Sequence, residues 1–457
     1  MTYREALAFL ASLESLGIRP GLDRIEALLG RLGNPHQAFP SVLIGGTNGK
    51  GSVAAYLASI LREAGVAAGV YTSPHLIRFE ERIAIGGTAI SEDEVAALGT
   101  EVREAIEAGL SAREDLPTYF EATTALAFLH FSRRRVPVAV LEVGMGGRFD
   151  ATNVVTPLAC AITPVAMDHT QWLGGTLREI ALQKAGILKP DVPGVVAPQH
   201  PAVLEAIMAE AERVGAPLAM ASETEVRPAG PDGRLPDPPV FSLTTPSGGR
   251  YDALVLSLRG AHQVTNATTA ILLAERMAAR GFRSIDRGAV SRGLARAVWP
   301  GRLELIAGCR EGGLAGPGAP DMLLDGAHNP AGCESLAAYL RDHQAGRRTA
   351  LVFAAMRDKP AGAMLSILAQ HFQELIVTSL PVARGESPDA LLGLAASCHP
   401  RARMAPEVGA ALGLAREAAG DGGLVVVAGS LYLVGEVKKL PGAAGSLERT
   451  PGRAPRA

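Results

Sequence analysis

The sequence predicts an α/β fold in two domains, a mostly parallel sheet first and a smaller Rossmann-like α/β domain after it. Three observations lead there. Between Ser41 and Val165, short apolar runs alternate with helix-period segments, the pattern of parallel strands joined by crossover helices. The alternation resumes beyond residue 305, where MLLDG, TALVFAA, ELIVTSL and LVVVAGS read as four buried strands. At 457 residues the chain is also too long for one ordinary core.

In the first domain the candidate strands are Val42–Gly45, Gly69–Thr72, Val138–Val143 and Ala159–Thr163. After the first of them Val53, Tyr56, Leu57, Ile60 and Leu61 recur at i, i+3, i+4, i+7 and i+8, one apolar stripe on a helix. TYFEATTALAFLHF, Thr118 to Phe131, is apolar nearly all round and predicts a buried helix. From Arg227 to Gly249, PAGPDGRLPDPP and TTPSGG hold too much Pro and Gly for a packed element, so an excursion or hairpin is expected. HQVTNATTAILLAERMAARG then restarts a helix. A second break, EGGLAGPGAP at Glu311–Pro320, accompanies a division into 1–304 and 305–440, and the tail 441–457 is too poor in apolar residues to fold.

Composition removes several classes of function. A net charge of −2 with a pI of 6.6 argues against a nucleic-acid stripe or a membrane-surface helix. The four cysteines, Cys160, Cys309, Cys333 and Cys398, lie far apart with no CxxC pair and no zinc spacing. A reducing cytoplasm without disulfides is therefore expected. The N-terminal stretch lacks a basic head followed by an apolar run, and no membrane span is expected.

The most specific stretch is SVLIGGTNGKGSVAAYLASILREAG, Ser41 to Gly65. Glycines at 45, 46, 49 and 51 let the backbone turn its N–H groups inward, and the helix that follows adds its positive end. Lys50 supplies a mobile charge for the β and γ phosphates. Strand, glycine turn with lysine and amphipathic helix make this a domain of the P-loop ATPase type, although Gly51 follows the lysine and the hydroxyl arrives only at Ser52. Ser73 and His75 follow the second strand, Glu142 ends the third, and Asp168 and His169 follow the fourth. All lie beyond carboxyl ends of strands, the edge where open parallel sheets hold ligands. A hydroxyl, a carboxylate and an imidazole near phosphates suit Mg²⁺, though imidazole is a less usual ligand for it and His169 read alone is more often a satisfied structural histidine than a ligand. A carboxylate buried at a strand end, as Glu142 would be, calls for a cation.

The motifs GTNGKGS, TSPHL, TYFE, EVGMGGRFDATN, DHTQWLG, QKAGILK, HQVTNA, WPGRLE, DGAHNP and GSLYLVG, together with the opening SLGIRPGLDRIEALLGRLGNP, occur in the order of one family. From about residue 10 to residue 436 the chain resembles folylpolyglutamate synthase and dihydrofolate synthase, members of the Mur-type amide ligases. The displaced serine of GKGS is how that family writes its phosphate loop.

The resemblance implies roles by position. Thr47, Asn48, Gly49, Lys50, Gly51 and Ser52 would hold ATP phosphates, with Asn266, Arg302, Asp325 and His328 as further nucleotide contacts, the last two from the second domain. Ser73, Glu142 and His169 would ligate Mg²⁺. Lys184 would carry a carbamate and serve a second Mg²⁺; as plain lysine it reads as an exposed helix residue. Lys50, Lys184 and His169 form the catalytic set. Thr118, Tyr119, Phe120 and Glu121, with Phe149, Asp150 and Ala151, would face the pterin-bearing substrate, although Tyr119 and Phe120 also read as core aromatics. Lys359 is kept where the family has a lysine, but Pro360 replaces the acid that often follows.

The implied activity is ATP-dependent joining of L-glutamate to the glutamyl carboxylate of folates through an acyl phosphate, and also to dihydropteroate. It implies a monomer that works on small molecules, with no nucleic acid and no membrane, and leaves room for a monovalent cation. The anionic substrates call for a locally basic cleft, with Arg82, Arg148 and Arg302 as candidates, and for domain closure about the linker from Arg302 to Pro320. The competing readings are a muramyl-peptide ligase, which would carry a UDP-sugar domain ahead of the phosphate loop, and a P-loop NTPase without a folate substrate.

Overall fold

The computed structural model describes residues 1–109, 115–230, 234–308, 319–344 and 346–440. The tail from 441 and residues 309–318 of the linker, which include Cys309 and most of the Glu311–Pro320 break, lie outside the described residues. The chain divides into two compact units. The first comprises Met1–Ser257 with Ala261–Val298, and the second comprises Leu258–Gly260 with the described residues from Trp299 onward.

The first unit holds an eight-stranded sheet. Its strands are β1 (Ser41–Gly45), β2 (Gly69–Tyr71), β3 (Ile83–Ile85), β4 (Thr88–Ala89), β5 (Ala139–Glu142), β6 (Ala159–Ile162), β7 (Gly194–Val196) and β8 (Leu218–Met220), in the order β4-β3-β2-β5-β1-β6-β7-β8. From β2 to β8 neighbours run parallel, and β3 and β4 add an antiparallel edge. The four strands expected from sequence form the centre of this sheet. β3, β4, β7 and β8 are two or three residues long, too short to stand out as apolar runs.

The helix Lys50–Glu63 buries its expected stripe completely: Val53, Tyr56, Leu57, Ile60 and Leu61 are all fully inaccessible. The helices His262–Ala279 and Arg287–Arg296 pack against it and cover further parts of its surface, although Arg62 stays exposed. That is why Ala54, Ser52 and Ser59 occupy those parts: at Gly293 even a methyl group would stand 2.5 Å from the Cα of Ile60. The helix Tyr119–Arg133 is inaccessible from Glu121 to Phe131, as its all-round apolar sequence predicts.

A correction concerns the Pro/Gly-rich excursion. The strands β9 (Glu225–Pro228), β10 (Val240–Thr244) and β11 (Arg250–Val255) form a three-stranded antiparallel sheet. Thr245–Gly249 is the expected hairpin, whereas Arg227 and Pro228 belong to a strand after all. The proline is tolerated because β9 is an edge strand.

The second unit is a six-stranded sheet of β12 (Glu304–Ile306), β13 (Asp321–Leu324), β14 (Thr349–Phe353), β15 (Glu374–Val377), β16 (Ala402–Met404) and β17 (Leu424–Ala428), ordered β12-β13-β17-β14-β15-β16. All pairs are parallel except β12 with β13. Pro360 stands at the start of the helix Ala361–Leu368. Among the described residues Cys160, Cys333 and Cys398 are free thiols, and no helix is long and apolar enough to cross a membrane.

Candidate functional site

The strand order β2-β5-β1-β6 puts the loops carrying Ser73, Glu142, Lys50 and His169 at the carboxyl ends of four adjacent strands. Ile44 pairs with Glu142 and Gly45 with Ile162, so the glycine loop begins where both neighbours end. Gly46 and Gly49 take φ of 132° and 93°. A side chain at either would collide: a Cβ at Gly46 would stand 1.9 Å from the Thr163 hydroxyl, and one at Gly49 2.3 Å from the Asn266 amide oxygen. The glycines are needed for close approach as well as for the turn.

The loop's amides do not all point inward, as the sequence suggested. The N–H groups of Thr47 and Asn48 donate to the Pro164 carbonyl, because the strand that bears Thr163 continues alongside. The amides left for a phosphate are those of the first turn of Lys50–Glu63, which lack intrahelical acceptors. Lys50 Nζ lies 3.0 Å from the carbonyl of Thr47. Ser52 is buried and is met by Gln263 Nε2 at 3.3 Å, and Gln263 Oε1 accepts from Asn266 Nδ2 at 3.0 Å.

Glu142 is 5 % exposed, and its Oε2 accepts from the Ser73 N–H at 3.1 Å, which brings the hydroxyl-bearing residue beside the carboxylate. His169 occupies the left-handed region at φ 49° and opens the short helix Thr170–Leu173; its N–H donates to Asp168 Oδ1 at 2.9 Å. A left-handed non-glycine residue beside a ligand edge is a local strain of the kind found at functional sites. Lys184 corrects the sequence reading most directly. It is buried, not exposed, because the last turn of Leu177–Ala185 brings its Nζ to the Gly46 carbonyl at 2.8 Å.

The model for the Mur ligase middle domain matches residues 44–274, and that for the Mur ligase glutamate ligase domain matches 301–431. The chain is 36% identical over 447 residues to the dihydrofolate synthase/folylpolyglutamate synthase of Bacillus subtilis, covering 96% of this chain and 98% of that protein. The Escherichia coli protein of the same name is 31% identical over 389 residues, 84% of each. The solved Mycobacterium tuberculosis folylpolyglutamate synthase, complexed with ADP and AMPPCP, aligns at 33% identity with a TM-score of 0.83, over 95% of this chain and 98% of that one. The chain is a Mur ligase of the dihydrofolate synthase/folylpolyglutamate synthase family. As such it is an ATP-using enzyme of small-molecule substrates.

The ligase's donor set fits Mg²⁺. Among the described residues no three His, Cys, Asp or Glu side chains gather to hold a metal by themselves. Ser73, a hydroxyl-bearing residue whose N–H meets the single buried carboxylate of Glu142, instead offers with it the sparse oxygen set that Mg²⁺ takes when phosphate oxygens and water complete its shell.

The substrate-side residues divide. Thr118 and Glu121 form a reciprocal capping box at the start of Tyr119–Arg133, and Glu121 also pairs with Arg24 at 3.0 Å. Asp150 is buried and accepts from the Met145 N–H, the Thr152 N–H and the Thr152 hydroxyl at 2.9, 3.0 and 2.6 Å. Burial raises its carboxyl above the usual range, against the pull of those donors. Ala151 is buried, whereas Phe149 is 49% exposed. Phe120 packs on Gly144, where a Cβ would stand 2.5 Å from its ring, and Tyr119 lies under the Arg82 guanidinium.

Of the basic candidates, Arg148 is engaged elsewhere, donating to Glu210 at 2.6 Å. Arg302 belongs to a cluster within the second unit. Its guanidinium covers Gly326, where a Cβ would stand 2.2 Å from Nη1, and Asp325 accepts from the Leu303 and Ala327 N–H groups, both at 2.9 Å. Burial raises the Asp325 carboxyl, and the Arg302 charge opposes that rise. His328 Nδ1 lies 2.8 Å from the Gly326 carbonyl.

Sequence reasoning missed Thr163 and Gln263. The Thr163 hydroxyl is fully buried over Gly46 with no hydrogen-bond partner among the described residues. Gln263 shares a helix face with Asn266 at i, i+3, a spacing that could have found it.

Proposed function

We propose that this ligase joins the amine of L-glutamate to the terminal carboxylate of a folate, and to that of dihydropteroate, at the carboxyl edge of β2-β5-β1-β6. The observation that carries the reading is the meeting of the glycine loop, Ser73–Glu142 and the buried Lys184 along that one edge. Relatives over nearly the full length are named for both activities.

In this reading the first-turn amides and Lys50 hold the ATP phosphates in line with the acceptor carboxylate. Positioning and fixed charge do most of the catalysis of phosphoryl transfer. A carboxylate oxygen takes the γ-phosphoryl group as the bond to ADP breaks. The glutamate amine then attacks the acyl carbon, a proton leaves the nitrogen, and the tetrahedral intermediate collapses with loss of phosphate. Ser73, Glu142 and His169 would hold Mg²⁺, which supplies charge neutralisation at the phosphoryl oxygens. Lys184, buried against the loop, would as a carbamate offer an anionic oxygen where an ammonium offers none.

Thr47, Asn48 and Asn266 shape the nucleotide loop, and Arg302, Asp325 and His328 are proposed nucleotide contacts. Tyr119, Phe120, Phe149 and Ala151 line the pterin side, on a frame built by Thr118, Glu121 and Asp150. The working form is a cytoplasmic monomer. Mass analysis of products from ATP, L-glutamate and either dihydropteroate or tetrahydrofolate tests the reading: each acceptor should gain a glutamyl residue. ATP hydrolysis that is indifferent to glutamate and acceptor would sink it.

A further inference from the structure

We infer that Arg82 is a binding residue for a substrate carboxylate, an assignment that rests on the ligase reading above. Arg82 ends the segment that leaves β2, and its carbonyl accepts from the Thr72 N–H at 3.0 Å, one residue before Ser73. It is only 7% exposed. Its Nε donates to His75 Nδ1 at 2.8 Å, and its guanidinium carbon lies 5.5 Å from the centre of the Tyr119 ring. An arginine always carries its proton, so Nε donates here and His75 Nδ1 accepts. A phenol is an uncharged neighbour near neutral pH.

Among the described residues no carboxylate lies within 4.0 Å of this guanidinium, and Nε is its only donor with a hydrogen-bond partner. The contrast with Arg24 is direct. Arg24 stands near the same helix start and is neutralised by the buried Glu121. A guanidinium withdrawn from water without a counter-ion is costly, and it cannot escape by losing a proton. The Nη fork of Arg82 matches the two oxygens of a carboxylate.

Location separates this anion from the nucleotide. Arg82 directly precedes β3, and β2 and β5 lie between β3 and β1, so its backbone stands roughly 14 Å, three strand spacings, from the strand that leads into the phosphate loop. The backbone that carries it is thus set apart from the loop that carries Lys50. Its guanidinium stands over the ring of Tyr119, where a ring-bearing acid has an aromatic neighbour. The carboxylate comes either from the pterin-bearing acid or from L-glutamate.

Steady-state KM values for ATP, L-glutamate and the pterin-bearing acid, measured on wild type, Arg82→Lys and Arg82→Gln, test the assignment. Arg82→Gln should raise the KM of one carboxylate-bearing substrate roughly 10- to 100-fold and leave that of ATP within about twofold. The substrate affected identifies the source, and Arg82→Lys should recover part of the loss. A structural role would not move the deciding ratio, which is competitive binding of that substrate against its carboxamide analogue. Wild type should favour the acid and Arg82→Gln should lose the preference; where the glutamine variant does not fold, the lysine variant should show a reduced preference. An undiminished preference, an equal rise in all three KM values, or a change for ATP alone overturns the assignment. If wild type forms no glutamyl product, the ligase reading falls and takes this assignment with it. Normal wild-type turnover with unaltered Arg82 variants removes only this one.

Discussion

The loops that follow β2 and β5 leave neighbouring strands at one edge of the sheet and use their charges in opposite ways. In the loop after β5, Asp150 is turned inward onto the amides of Met145 and Thr152, and Arg148 is paired with Glu210. Its polar side chains hold the loop in shape. In the loop after β2, Glu81 does the same service for the amides of Leu76, Ile77 and Arg78, but the Ser73 N–H meets Glu142 and Arg82 has no carboxylate partner among the described residues. Position at a sheet edge is therefore a poor guide to role. What separates a positioning carboxylate from a ligand group is whether the chain itself supplies its partners.

The largest expected effect breaks the comparison at Glu142. Glu142→Gln keeps an acceptor for the Ser73 N–H but removes the charge, so a merely structural carboxylate would tolerate it. We expect kcat for ATP-dependent phosphate release to fall by about 10³-fold with an unchanged melting temperature; near-normal turnover would place Glu142 with Asp150 instead.

At Asp150 the expected effect is on stability. Asp150→Ala strands buried donors and should cost about 2–3 kcal/mol in urea unfolding. The carboxyl's raised folded value makes its contribution fullest below the ordinary 3.8 and lost as pH rises through the raised value. The stability gap between wild type and Asp150→Asn should therefore widen when unfolding is measured near pH 4 instead of pH 7; a gap that narrows would contradict the burial effect. The smallest effect is at Thr118→Ala. Loss of its cap should destabilise the protein by about 1 kcal/mol while KM for the pterin-bearing acid stays within about twofold. A large KM change with normal stability would move Thr118 from frame to contact.

Much of this was legible in the linear text. The strands β1, β2, β5 and β6, the buried stripe from Val53 to Leu61 and the glycine loop follow from short-range periodicity and from residues that only glycine can replace. β2 apart, the strands of two or three residues, β3, β4, β7, β8, β12 and β16, were not legible, since so few residues carry no period. β9 was obscured by Pro228, which reads as a breaker until its edge position is known.

By itself the sequence determined the longer elements, their order along the chain and the loops expected at the carboxyl edge, because local pattern and connection rules act over short stretches of chain. Only the tertiary structure decided which charges are already answered. Lys184 meets a carbonyl 138 positions away, Arg148 a carboxylate 62 positions away, and Arg82 meets none among the described residues. Charge compensation is a property of space, and no reading of neighbours along the chain can supply it.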